Sequence, residues 1–91
     1  MSALSLPEVK KIGFNNDVPG LNLHVQTEVL TRGGLSMRTT VLAGGVVKHV
    51  EIHPVPADVS DMFALIALVR AQHQRCLDHI EGAGESWLAS I

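Results

Sequence analysis

The chain has 91 residues, with 7 Lys+Arg against 9 Asp+Glu, a formal net charge of -2, 46% hydrophobic residues and only 3% aromatic ones. It is too apolar and too weakly charged to stay disordered, and it lacks the basic excess of a nucleic-acid binder. Its length fits one small domain, which buries only about 60–65% of the surface its unfolded chain exposes and so gains from an extra stabiliser.

Residues 1–19 show no sustained period, and Asn15, Asn16, Asp17, Pro19 and Gly20 form a cluster of turn formers. The expectation is a loose N-terminal arm over residues 1–19, with a short strand or turn around Lys11–Phe14, followed by a single domain over 20–91. Residues 1–17 contain no apolar stretch of the kind a signal peptide needs.

From Leu21 to Val29 the chain alternates. Leu21, Leu23, Val25, Thr27 and Val29 fall on one face, and Asn22, His24, Gln26 and Glu28 on the other. This is the pattern of a half-buried strand. Arg32, Gly33 and Gly34 supply a turn. A second strand follows over Ser36–Leu42, with Met37, Thr39 and Val41 on one face, and Ala43-Gly44-Gly45 makes a tight hairpin connection. Val46 to His53 reads as a third strand in which Val50 and Ile52 alternate with His49, Glu51 and His53. Val46 shares the face of Val50 and Ile52, but Lys48 interrupts that face. Either Lys48 lies near an edge, or a bulge around Val47–His49 resets the register. Pro54 and Pro56 end the strand.

Asp58 to Glu81 reads as one long helix, capped by Asp58 or Ser60, favoured by Asp61 at its positive end and stopped by Gly82 and Gly84. Its stripe is Met62, Ile66, Val69, His73, Cys76, Leu77 and Ile80, and in its first half Phe63, Leu65 and Leu68 spread apolar surface round most of the circumference. A helix that is apolar all round needs cover all round. The fold expected is α+β, a three-stranded antiparallel meander packed on one long C-terminal helix. The cover missing for Leu65 and Leu68 points to a second copy of the chain, so a homodimer formed through the helix or a sheet edge is expected. The interface candidates are Met62, Leu65, Leu68 and Trp87, the last in a tail over 85–91 that either folds back on the core or docks on another protein.

The residues that could carry chemistry are few. His49 and His53 share a strand face but stand about 13–14 Å apart, too far for one metal unless the strand bends. His24 could neighbour one of them across the sheet, and these three are the candidate metal or ligand residues. His73, Cys76 and His79 are spaced three apart on the helix, yet one helix cannot supply all three to one ion without strain. Cys76 in an apolar stripe reads as a small buried hydrophobe rather than a nucleophile. Neither glycine pair makes a phosphate loop, and no cofactor motif occurs. Arg32, Arg38 and Lys48 are expected to pair with Glu28 and Glu51 across strands rather than to bind nucleic acid. The longest apolar run, Met62–Val69, is eight residues, and a bilayer takes about 20. As the only cysteine, Cys76 cannot form a disulfide within the chain and is at home in a reducing compartment.

His24-Val25-Gln26-Thr27-Glu28, followed by Thr39-Thr40-Val41-Leu42-Ala43-Gly44-Gly45-Val46-Val47, resembles a group of small uncharacterised bacterial proteins with an HVQTE-like strand, a threonine-containing strand and a Gly-Gly hairpin. The likeness covers roughly residues 21–53. Where that pattern continues with an acidic residue and a glycine, this chain has Val29-Leu30-Thr31-Arg32. The resemblance implies a β-meander in a bacterial protein and carries no catalytic residue. The functional expectation is a non-catalytic, self-associating interaction module in the cytoplasm. The alternative is a small metal- or ligand-binding protein using His24, His49 and His53.

Overall fold

A computed structural model describes residues 4–83. The element order is α1 (Leu6–Val9), β1 (Gly13–Val18), β2 (Leu23–Leu30), β3 (Ser36–Ala43), β4 (Val46–Pro54) and α2 (Met62–Ala83). The four strands form one antiparallel sheet in the order β1-β2-β3-β4, with α2 packed mainly over β2 and touching β3 and β1 on either side. The α+β architecture and the long C-terminal helix are as expected, but the sheet has four strands rather than three.

The extra strand is β1, in the segment expected to be a loose arm. Its turn-forming residues pair along the whole strand, from Gly13 opposite Glu28 to Val18 opposite Leu23. The turn lies just beyond them. Leu21 N–H donates to the Val18 carbonyl at 3.4 Å, and Gly20 has φ +90° behind Pro19. That arrangement puts proline and glycine where a type II turn wants them. Ahead of β1, α1 and its exit place Val9 and Ile12 in the core beside Val29, Met37, Leu65 and Val69.

The β3–β4 hairpin turns at Gly44 (φ +57°) and Gly45 (φ +83°), between the paired residues Ala43 and Val46. Two consecutive positive φ angles in a two-residue loop match the right-handed strand twist, and glycine adopts them without a Cβ clash. Beyond this turn the register slips. Leu42 pairs with Val47 but Val41 pairs with His49, so Lys48 is the added residue of a bulge. One added residue moves every later side chain to the other face. Val46 lies on the helix side with Ala43, whereas Val50 and Ile52 lie on the outer side with Thr40 and Arg38. The bulge alternative for Lys48 is the one realised, and it undoes the shared face of Val46, Val50 and Ile52.

α2 begins at Met62, later than the sequence reading places it. Asp61 is its cap, since the Ala64 N–H donates to Asp61 Oδ1 at 2.9 Å. The 22 residues of α2 run about 33 Å and continue through Gly82. Its buried residues are Leu65, Val69, Gln72, His73, Cys76 and Ile80, so the inward stripe is turned relative to the expected one. Leu65, expected to need a partner, is 0% exposed, and the apolar side chain left in solvent is Phe63 at 88%. The cover for Leu65 comes from within the chain, because the arm folds as α1 and β1 and delivers Val9 and Ile12 to its cluster.

Candidate functional site

The core is not continuously apolar. Val9, Ile12, Val29, Met37, Leu65 and Val69 form one cluster, and Leu23, Val25, Val41, Cys76 and Ile80 form another. Between them lies a buried polar layer of Thr27, Thr39, Gln72 and His73. Thr27 and Thr39 are directly paired across β2 and β3, and both belong to the inward-facing sets of their strands. Gln72 and His73 come down on them from the middle of α2.

The contacts make one directional chain. Gln72 Nε2 donates to Thr39 Oγ1 at 2.9 Å and to the Met37 carbonyl at 3.2 Å. Thr39 and Thr27 hydroxyls meet at 2.8 Å, and Thr27 Oγ1 lies 2.8 Å from His73 Nδ1. His73 Nε2 lies 2.7 Å from Asn16 Oδ1 on β1. An amide oxygen only accepts, so Nε2 carries the imidazole proton and Nδ1 accepts from Thr27. Thr39 then donates to Thr27, and every step from Gln72 to Asn16 runs in one sense. Burial, and next the nearby His24, push the His73 pKa below its ordinary value. A neutral imidazole is the form this chain of bonds requires. Phe14 tilts against the ring at 5.8 Å between centroids, and Arg70 stands over Phe14 at 5.5 Å.

This layer holds no reactive group within reach of a substrate. Gln72 and Thr39 are fully buried and His73 nearly so. Cys76, one turn along α2, is also buried, and its thiol is pushed up to about 11 by burial and then by Glu51. It is a packed thiol and not an activated one. The chemistry of the layer is positional, because these hydrogen bonds form only when helix and sheet meet in one register, with Gln72 Oε1 the buried side-chain atom left without a partner among the described residues.

The outer face of the sheet carries two cross-strand side-chain pairs. His24 Nδ1 lies 2.7 Å from Asp17 Oδ1 on β1, and Arg38 is hydrogen-bonded to Glu28, its register partner, at 3.0 Å through Nε. The Arg38–Glu28 pair is the cross-strand pairing expected. An open hollow of about 680 Å³ lies at the turn end of the sheet, bordered by Asp17, Pro19, Gly20, His24, Leu42 and Gly44. On β4 the outer side presents Val47, Val50 and Ile52, which are 54%, 45% and 54% exposed.

The helix side of β4 is polar. His49, Glu51 and His53 are paired with Val41, Thr39 and Met37, so they lie on the same face as the core. α2 sits over β2 and leaves them half-covered. The three candidate histidines are thus divided. His49 and His53 share a face with Glu51 between them, and His24 is on the opposite face beside Asp17. Among the described residues no group of three or more His, Cys, Asp and Glu side chains is placed to hold a metal ion. Of the interface candidates, Met62 and Leu68 are half-buried against the first core cluster, Leu65 is buried within it, and Trp87 lies outside the described residues. No helix among those residues is long and apolar enough to cross a membrane.

The sequence reading missed Asn16, Thr27, Thr39 and Gln72 as a unit. The signal available was polar residues at inward positions on two neighbouring strands, with His73 in the helical stripe. Compared with family models, curated proteins and solved structures, the chain matches none.

Proposed function

We propose that the protein is a non-catalytic interaction module that associates with itself through the β4 edge of its sheet. The observation that carries this reading is the character of β4. Among the described residues it is a terminal strand, with β3 as its neighbour in the sheet. It also exposes Val47, Val50 and Ile52 on its outer side. An edge strand that is long and apolar on one side is a template for pairing with another strand. The other border, β1, is Gly-Phe-Asn-Asn-Asp-Val and offers no such apolar row.

The reading of all three histidines as one ligand site has less support, since His24 stands on the far side of the sheet from the other two. The helix contribution to self-association is also weaker than the sequence suggests, because Leu65 is spent inside the core.

Size-exclusion chromatography with light scattering at micromolar concentration tests the reading. The expected mass is that of a dimer, and Ile52→Lys, which puts a charge in the exposed row without touching the core, is expected to shift it toward the monomer. A stable monomer for the unaltered chain across that range overturns it.

A further inference from the structure

His73 is the one imidazole in the buried polar layer, and its neighbours suit it in one state only. With the ring neutral, Thr27 donates to Nδ1 and Nε2 donates to Asn16 Oδ1. A second proton turns Nδ1 into a donor. Thr27 must then accept from His73 and donate to Thr39. Thr39 already accepts from Gln72, so its own hydroxyl hydrogen is left with no acceptor in the chain of bonds. The result is a buried cation whose one strong acceptor is the Asn16 amide oxygen.

The charged groups around the ring do not relieve it. On α2, Arg70 stands over the Phe14 ring that tilts against the imidazole, and Cys76 is a packed thiol. Asp17 of β1 is held by His24 of β2 on the outer face, and Glu28 by Arg38. β3 offers the uncharged Thr39, and the Glu51 carboxylate of β4 is turned to His53. Glu8 and Lys11, of opposite sign, stand beside Phe14. Burial first, and His24 second, work against a proton on His73.

Water reaches such a cation past β1, because Asn16 is the exposed end of the chain of bonds. β1 is also poorly equipped to resist. It borders the sheet, has no fully buried residue, and is built from glycine, asparagine and aspartate, which are weak strand formers. The chain on either side of it is held, by Val9 and Ile12 in one core cluster and by Leu23 in the other.

We propose that β1 is an acid-operated latch: a proton taken up by His73 frees Gly13–Val18 from β2 as a flap anchored at both ends, and uncovers the β2 edge for pairing with another strand. The latch does not depend on association at β4, which is the opposite border. Its direction follows from linkage. The open flap lets His73 bind its proton at the ordinary value of 6.5, and the closed one holds it lower. Closure is therefore fully favoured above 6.5 and weakens as pH falls from there through the value of the closed state.

Amide hydrogen exchange at about pH 7.5 and about pH 5, in a series of low urea concentrations and expressed as protection, tests this. The β1 amides bonded to β2 are expected to exchange through an opening that urea does not promote, and that grows severalfold to about tenfold in acid. β3 amides should exchange through the urea-sensitive unfolding of the whole chain. His73→Gln can still accept from Thr27 and donate to Asn16, and should keep β1 closed at both pH values. His24→Asn removes the outer-face contact between the same two strands and should retain the acid response. Asn16→Ala should raise β1 exchange already at the higher pH while the far-ultraviolet circular dichroism is unchanged. β1 amides that share the urea dependence of β3 at both pH values overturn the latch, since no separate flap then opens. An acid response undiminished in His73→Gln overturns it equally, by assigning the proton to another group.

Discussion

Thr27 Oγ1 and His73 Nδ1 meet at 2.8 Å, and this contact joins the sheet to the helix at the level where the apolar core is interrupted. On one side of it the hydroxyl chain runs through Thr39 to Gln72, and on the other the imidazole reaches Asn16 on β1. Three strands and the helix are therefore tied at one level by side-chain hydrogen bonds, buried at Thr27, Thr39, Gln72 and His73 and reaching the surface at Asn16.

Stability should fall with acid through His73. Unfolded, the imidazole has its ordinary value of 6.5, and burial holds the folded value lower. Between the two values the unfolded chain binds more protons. The contribution is fully present above the unfolded value and is lost as pH falls through the folded one. Urea unfolding at about pH 7.5 and about pH 5 checks this, with His73→Gln expected to show the flatter dependence because an amide does not titrate there. Equal slopes for the two proteins would place the effect in other groups.

The hydroxyl chain should behave as a unit. Thr27→Val keeps shape but leaves His73 Nδ1 and the Thr39 hydroxyl without their partner, at a cost of about 1–3 kcal/mol. Thr39→Val removes one of the acceptors of Gln72 as well. The double variant should cost less than the two single losses added together, since the second change removes a group already stranded. Chemical denaturation of all four proteins measures the difference, and simple additivity would count against a connected layer.

The face of α2 can be read from two side-chain truncations. Leu65→Ala opens a cavity beside Val9, Ile12 and Val69 and should cost about 2–5 kcal/mol. Phe63→Ala removes a larger side chain that lies in solvent, and its effect on monomer stability should be within about 0.5 kcal/mol. Thermal melts of the two variants decide it. The reverse order would restore the orientation in which Leu65 faces outward.

The hairpin turn should discriminate between its glycines. Gly44 at φ +57° is in the left-handed region that asparagine also tolerates, so Gly44→Asn should be nearly neutral. Gly45→Ala forces a Cβ into φ +83° and should cost about 1 kcal/mol or more. For a domain of this size that is about 4–8 °C in Tm.

Cys76 should be nearly inert while the chain is folded. With the thiol pushed up to about 11, the thiolate is about one part in a thousand at pH 8. Iodoacetamide should label it in urea and leave it unlabelled over the same interval in buffer, as mass spectrometry would show. Rapid labelling of the native chain would mean that the second half of α2 opens readily.

Much of this fold is written in simple periodicity. β2 alternates strictly, and its burial follows that alternation from Leu23 to Leu30. Gly44 and Gly45 mark the hairpin for the reason they are needed there. β1 was hard to see because its stability is not local. Asn15, Asn16 and Asp17 have weak strand preference, and their pairing with Gln26, Val25 and His24 supplies what the propensity lacks. The faces of β4 were lost at Lys48, where one added residue inverts a period of two. The stripe of α2 was misplaced because Gln72 reads as a solvent residue, whereas Thr39 and the Met37 carbonyl make it a core residue. Of the candidate site, the His49, Glu51 and His53 row was legible as an alternation, but the separation of His24 from it follows from the bulge and required the register.

The unlike margins of the sheet bear on how far assembly could proceed. A union of β4 with the β4 of a second copy about a two-fold axis would be isologous, so it would consume both apolar margins and leave two outward borders rich in asparagine, aspartate and glycine. Those borders would give a further molecule little hydrophobic foothold, so such growth would stop at a pair instead of running on into a fibre.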